Sequence, residues 1–508
     1  MTTTPTSVRE SDPKPHKWTA FGAIGVSLVT TVMSMSMVFV SLPAIADDFG
    51  ITLKAVGWVV ITNSLVISSL MLPMGRAADI IGRRKMHLAG MALFGLGCAL
   101  VALAPTFGLV IAGRVVMATG SAMGQSVGTA MIVAVFPAHE RGTAIGSQTT
   151  AVAIGAASGP VLGGAILEVL SWEALFALLL IPVAIALIAG YVILDENLVS
   201  PAGPVQRKPY DWAGAGLSAM AVVLVVLIIN NPLSLPWTSP VTIGAIVVAV
   251  GAIGAFVTRE LSFAHPMLQL GYFRNRLIRF SAGARVVGFM GSTVSIFLTP
   301  VFLISLRSMD ALTAGAIMFL NSVGLGVSAQ TAGRLSDRFG PLPFIVGGFT
   351  LMGVSAIFLS FMTEFTPLGL VALAVTANGI AMGLWNVPNN SSIMGSVGSE
   401  HHGVVGALTN LLRNLGNVVG QAVAVTVVAT VMATRGFEIP LDQLAEVVGA
   451  DQAFVAGWAL AFRMVAVFSI AGVVLTFLSH HKIARPSKTM GSDRQAQAAA
   501  LRSNTMRP

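Results

Sequence analysis

The chain has 508 residues, of which 55% are hydrophobic and only 10% charged, against roughly 25% charged in soluble domains, so a water-soluble protein is excluded. The 29 Lys and Arg outnumber the 21 Asp and Glu for a net charge of +8, but the cations are scattered through short loops between apolar runs, which excludes a nucleic-acid surface. The single cysteine, Cys98, permits neither an intrachain disulfide nor a cysteine metal site.

Runs such as Leu175 to Leu194 and Trp212 to Ile229 stay almost free of charge for about 20 residues, the length that crosses hydrocarbon as a helix. The short segments of dyad alternation that mark a membrane barrel are missing. In chain order, hydropathy predicts spans over 19–44, 55–75, 86–104, 107–135, 143–167, 174–194, 212–230, 240–258, 280–304, 312–333, 343–362, 368–392, 404–433 and 453–479, fourteen in all. The first is longer than a signal-peptide core and no small-residue cleavage site follows it, so it is expected to be retained.

With both termini on one side, that side collects Arg9, Lys14, Lys17, Arg76, Arg83, Arg84, Lys85, Arg141, Arg207, Lys208, Arg259, Arg274, Arg276, Arg279, Arg334, Arg338 and the basic tail. The other side keeps Lys54, Arg307 and Arg435. By the positive-inside rule both termini are expected in the cytoplasm. The expected layout is a cytoplasmic tail over 1–18, a six-helix half over 19–195, a linker over 196–211 containing Ser200-Pro201-Ala202-Gly203-Pro204, an inserted helix pair over 212–258, a cytoplasmic loop over 259–279, a second six-helix half over 280–480, and a basic tail over 481–508.

The halves echo each other. Gly75-Arg76-Ala77-Ala78-Asp79-Ile80-Ile81-Gly82-Arg83-Arg84 follows the second span, and Gly333-Arg334-Leu335-Ser336-Asp337-Arg338-Phe339-Gly340 follows the tenth. An internal repeat of six-helix units suits a central site and alternating access by rocking. A carboxylate at such a helix end can pair with the adjacent arginines and face a neighbouring helix N-terminus, closing one side until a state change breaks the contact; fixing topology is the plainer alternative.

These two segments resemble the loop signature of the major facilitator superfamily and its second-half copy. Gly155-Ala156-Ala157-Ser158-Gly159-Pro160-Val161-Leu162-Gly163-Gly164 in the fifth span is similar to the antiporter motif of that superfamily's drug exporters. With fourteen spans, the chain resembles the drug/proton antiporter branch over nearly its whole length. The resemblance implies the major facilitator fold, export of drugs or metabolites and proton antiport. Physically, Gly155, Gly159, Gly163, Gly164 and Pro160 allow close helix approach and a bend, a role that tight packing alone would also satisfy. Arg114 resembles the superfamily's fourth-span arginine, assigned there to proton coupling or substrate contact.

Further polar residues within spans are candidates for the cavity. Asn410, Arg413, Asn414 and Asn417 share one helical face, with Gln421 a turn beyond. Asn321, Gln330, Asn378, Trp385, Asn386, Asn389 and Asn390 add to them, although amides also bridge helices with no ligand present. For Arg285 and Arg463, snorkelling toward an interface is at least as strong a reading as a functional role. Met33, Met35 and Met37 are expected to pack against lipid and core.

Relatives in the drug/proton branch carry an aspartate nine residues before the proline that here is Pro43, where this chain has Ser34. No carboxylate falls at mid-membrane; Asp47, Asp48, Glu168 and Glu364 lie toward the outer face. Three functions follow: a proton-driven exporter using Asp47, Asp48 or Glu168; an exporter or facilitator of neutral or anionic solutes, suggested by interior arginines without acids; and a sensor or scaffold, which leaves the intramembrane polar stripe unexplained. His87, His139, His265, His401, His402, His480 and His481 lie near loops or helix ends and are expected to be solvated, with at most adventitious metal binding beside Glu400. No Walker loop is present, so neither enzyme, cofactor nor metal is expected. The partners are a small-molecule substrate, protons and the bilayer of a bacterial inner membrane, with a monomer sufficient.

Overall fold

A computed structural model describes residues 17–199, 209–231, 235, 236, 238–264, 266–437, 447 and 449–480. The expected N-terminal and C-terminal tails, the Pro-rich part of the linker, His265 and His481 lie outside the described residues.

Fourteen long helices run in order: α1 Lys17–Asp48, α2 Trp58–Ile81, α3 Arg83–Ala102, α4 Phe107–Val135, α5 Arg141–Leu167, α6 Trp172–Ile193, α7 Trp212–Asn230, α8 Pro240–Ser262, α9 Arg276–Val301, α10 Ala311–Phe339, α11 Leu342–Ser360, α12 Leu368–Gly395, α13 His402–Thr434 and α14 Ala450–His480. Thirteen of these, among the described residues, are long and apolar enough to cross a bilayer on that ground alone. The fourteenth, α10, carries Asn321, Ser322, Ser328, Gln330 and Thr331 along its length. Packing against protein explains its polarity, for it is held between α12 and α5.

Helix packing repeats with a shift of eight elements. In the first half α1 packs on α5 and α6, α4 on α2 and α3, and α3 on α6. In the second, α9 packs on α13 and α14, α12 on α10 and α11, and α11 on α14. Each half has its own core: Phe94, Val110, Phe176 and Leu179 in the first, and Phe289, Phe349, Trp385, Trp458 and Phe462 in the second. The hairpin α7–α8 is inserted between them. Its α7 rests on α2 and α13, whereas α8 packs mainly on α7 and leaves Val241, Val247, Val248, Val250 and Leu261 exposed, the surface a lipid-facing helix presents.

The two signature segments, expected as loops, are largely helical. Helix α2 continues to Ile81 and α10 to Phe339. The chain turns only at Gly82 and Gly340, whose φ values of +111° and +83° suit glycine. Arginines and a carboxylate at a membrane surface do not stop a helix, so hydropathy truncated both by about two turns.

Candidate functional site

The halves meet along two equivalent seams, α5 against α10 and α2 against α13. Each begins at the face that carries the basic loops. At the first, Asp337 on α10 accepts hydrogen bonds from the Gly142 amide at 2.8 Å, the Thr143 amide at 2.8 Å and the Thr143 hydroxyl at 2.9 Å. This carboxylate of one half therefore caps the first turn of a helix of the other, satisfying orphan donors and the positive helix end together. At the second, Asp79 on α2 lies against Gly403 and the Val404 amide at the start of α13. Arg83, almost wholly buried, donates to Asp79 at 3.3 Å, to the Val199 carbonyl and to the Ser399 carbonyl at 3.1 Å. The arginine thus ties α3 to the segment that leads into α13.

Small residues make both seams possible. A Cβ on Gly142 would lie 2.5 Å from the Gly333 carbonyl, and one on Gly75 would lie 2.6 Å from the Ala407 Cβ. Farther along the first seam, Ser147 donates to Gln330 and Thr150 to the Gly326 carbonyl at 2.8 Å. Arg84 is engaged inside its own half, donating to the Tyr191 carbonyl at 2.7 Å. Gly82 sits against the Glu196 carboxylate.

The second seam ends at a polar cluster. Asn410 Nδ2 donates to the Gln125 carbonyl on α4 at 3.1 Å, and Arg413 Nη2 donates to the Gln125 side-chain oxygen at 2.9 Å. Arg413 lies eleven residues beyond His402, about 16 Å along the helix, in the middle third of a bilayer-spanning length. Toward the opposite face the stripe continues as Asn414 and Asn417, half-buried, and exposed Gln421; Asn417 accepts from Thr293 on α9. Gln125 was not singled out from the sequence, although an amide inside the α4 span was the available signal.

Of the two readings open for Arg285, burial excludes snorkelling. It is 2% exposed and does not snorkel: its Nε donates to the Thr409 carbonyl at 2.8 Å and its Nη1 to Asn386 Oδ1 at 2.9 Å, with Phe289 beneath the guanidinium. Arg463 is exposed, as snorkelling requires. Arg114 is also buried, but its partners are the Val59 carbonyl and Met117 within its own half; Arg114 and Gln125 lie eleven residues apart on α4, about 16 Å.

The remaining candidates separate. Asn321 donates to Asn378 and to the Val375 carbonyl, and Asn378 donates to Ser295, around a cavity of about 10 Å³, the size of one water. Asn389 donates to the Ser281 carbonyl. Trp385 is fully buried, stacked on Phe349 at 5.2 Å and edge-on to Phe289, in room left by Gly288 and Gly348. Ser34 is buried within α1. Gly155, Gly159 and Gly163 all face α1, at Val29, Ser36 and Met37 respectively, while Gly164 is open and Pro160 exposed. Met35 is exposed and Met37 buried.

Among the acids, Asp47 and Glu168 are exposed, and Asp48 accepts from the Trp172 indole at 3.2 Å. His87 and His402 are both buried at 2% exposure, contrary to the solvation expected from sequence. The reason is that both stand near the starts of tightly packed helices: His402 opens α13 at the second seam, and His87 on α3 is covered inside its own half, paired to Ser27 on α1 at 3.0 Å. No cluster of three His, Cys, Asp or Glu occurs among the described residues.

Comparison with known proteins agrees with this geometry. The family profile described as Major Facilitator Superfamily matches residues 24–421. The chain is 29% identical over 404 residues to the riboflavin transporter RibZ of Clostridioides difficile, covering 79% of this chain and 86% of RibZ. It is 26% identical over 403 residues to the multidrug efflux pump LfrA of Mycolicibacterium smegmatis, covering 79% of each. In fold it is similar to the human organic anion transporter MFSD10, with a TM-score of 0.65 at 15% identity, over 91% of this chain and all of that one.

Proposed function

This chain belongs to the Major Facilitator Superfamily, a multi-pass membrane transporter and not an enzyme, and from that premise we propose that it exports small amphiphilic molecules by alternating access, coupled to protons moving the other way. One observation carries the proposal: two equivalent carboxylate caps, Asp337 of α10 at the start of α5 and Asp79 of α2 at the start of α13, join the halves at the basic face, below a mid-membrane polar cluster around Arg413. That is a transporter closed on one side, and two packings of the same halves about a central site constitute the transport cycle. The basic face is the cytoplasmic one by the positive-inside rule, in the inner membrane of a bacterium, with one copy supplying both halves. LfrA, a multidrug efflux pump by name, supports export, and RibZ supports a planar heterocyclic solute as an alternative cargo.

A second reading, a facilitator or exporter of neutral or anionic metabolites without proton coupling, is favoured by one fact. The ion pairs among the described residues all lie toward the basic face, so Arg114, Arg285 and Arg413 have no acid partner. Flux in proteoliposomes decides between them, using dyes of positive, zero and negative charge with and without an imposed pH gradient. Uphill flux driven by the gradient, lost when Asp47, Asp48 and Glu168 are neutralised together, is the expected result. Gradient-independent downhill flux would replace the antiporter by the facilitator, and no flux of any dye would remove the transport proposal.

A further inference from the structure

The interior of this protein brings two cations from neighbouring helices to adjacent turns of α13, with no ion-pair partner among the described residues. Arg285 reaches from α9 to the Thr409 carbonyl, and Arg413 stands one turn farther along α13. Their named partners are neutral oxygens: Thr409 and Asn386 for Arg285, Gln125 for Arg413. A guanidinium offers five donors; two of Arg285's and one of Arg413's are engaged in these bonds. Charges removed from water at this depth are costly unless paired, and like charges on adjacent positions add repulsion. Ionisable residues at this depth face a cavity or a partner and mark functional sites.

Reach is also present. Arg413 is half-buried, and so are Asn414 and Asn417 above it, on the side away from the closed seam. The partners come from both halves of the molecule, since Gln125 belongs to α4, Asn386 to α12 and the arginines to α9 and α13. A group bound there would therefore feel the rocking of one half on the other.

We propose that the Arg285–Arg413 pair is the substrate's anion-binding subsite, taking one carboxylate, sulfonate or phosphate group of an otherwise apolar solute, with the Gln125, Asn386 and Asn410 amides orienting it. This deepens the exporter proposal and rests on it only for the direction of movement. Planar oxyanions match the guanidinium fork, so an anionic group is preferred over a neutral isostere.

The test uses the purified full-length chain in a neutral detergent at fixed ionic strength, with naphthalene-2-sulfonate and its uncharged sulfonamide as probes, read by thermal unfolding. The sulfonate is expected to raise the midpoint and the sulfonamide to do so at least about tenfold more weakly in concentration, the scale of one charged hydrogen bond. Arg413→Gln is expected to remove the difference, Arg413→Lys to restore part of it, and Arg463→Gln, exposed on α14, to leave it unchanged. Should Arg285→Gln fail to fold, the two Arg413 variants decide alone. Equal stabilisation by both probes, or sulfonate binding that survives Arg413→Gln, overturns the subsite. Loss of sulfonate binding in added phosphatidylglycerol, but not phosphatidylcholine, would assign the anion to a lipid phosphate and overturn the substrate assignment. In proteoliposomes, sulfonate that binds through Arg413 while no probe of any charge crosses defeats the exporter proposal and leaves the subsite standing. Export of a lipophilic cation with no sulfonate binding does the reverse.

Discussion

At the scale of single residues, each seam has one aspartate at a helix start of the other half, which in the proposed cycle closes that face. Asp337 accepts three hydrogen bonds within 2.9 Å at a helix N-terminus, and charged hydrogen bonds contribute about 1.5–3 kcal/mol. Asp337→Asn keeps the shape but weakens the acceptor, so the closed arrangement loses about tenfold or more in population. A cysteine placed at Ser147, buried between α5 and α10, would then react faster with an impermeant maleimide added from the basic face. An unchanged rate would relegate Asp337 to topology. Both aspartates were legible in the sequence because each sits in a contiguous motif that the other half repeats, although the helix starts they cap, at Gly142 and Gly403, were not. Arg285 was not, since its environment is made by Thr409 and Asn386, 124 and 101 residues away, and hydropathy reports depth without partners. The Arg413–Gln125 bond, across 288 residues, was hidden for the same reason.

At the scale of helices, the glycine motif of α5 has a specific neighbour. Gly155 and Gly159 bring α5 against Val29, Met33 and Ser36 of α1, and Ser36 donates to the Gly155 carbonyl. Side chains here force the helices apart, at about 1–3 kcal/mol for overpacking. Gly159→Val is expected to lower the thermal midpoint of the whole protein, whereas Gly164→Val, facing open space, is expected to be near neutral; equal effects would show that the pairing with α1 is unimportant. The sequence displayed the spacing of these glycines but not which helix they meet, which left packing and coupling equally open.

The inserted hairpin is anchored by another helix-end carboxylate. Asp211 caps α7 through the Gly214 amide at 3.0 Å and meets the half-exposed Arg259 of α8 at 3.2 Å, while neighbouring Tyr210 donates to the Pro73 carbonyl on α2. Burial alone would raise the Asp211 carboxyl, but the Gly214 amide and the Arg259 guanidinium outweigh it and hold it below the usual carboxylate value. A depressed pKa gives stability that is present above the unfolded value, about pH 4, and lost as pH falls through the folded one. Asp211→Ala should therefore cost about 1–2 kcal/mol at neutral pH, and the difference from the parent should vanish in strong acid. Thermal unfolding of both forms between pH 7 and pH 3 checks it, and a difference that grows toward acid would contradict the cap.

At the scale of the whole molecule, the two seams are equivalents under the shift that maps α2 onto α10 and α5 onto α13, and their caps share no named partner. Effects at separate sites on one equilibrium add in free energy, so Asp79→Asn and Asp337→Asn together should change the closed population by the product of their separate factors. Spin labels at Ile81 and Phe339, exposed at the basic ends of α2 and α10, read that face; labels at Val169, just after α5, and Phe365, between α11 and α12, both exposed, read the opposite one. Cys98 is buried and does not compete for the label. Each half has its own packed core, so under the proposed rocking of two bodies the opening of one face closes the other. The double variant is expected to lengthen the Ile81–Phe339 distance and shorten the Val169–Phe365 distance in the same sample. If both distances lengthen, the caps hold the halves together without setting the direction in which they rock, and opening of one face is not coupled to closing of the other.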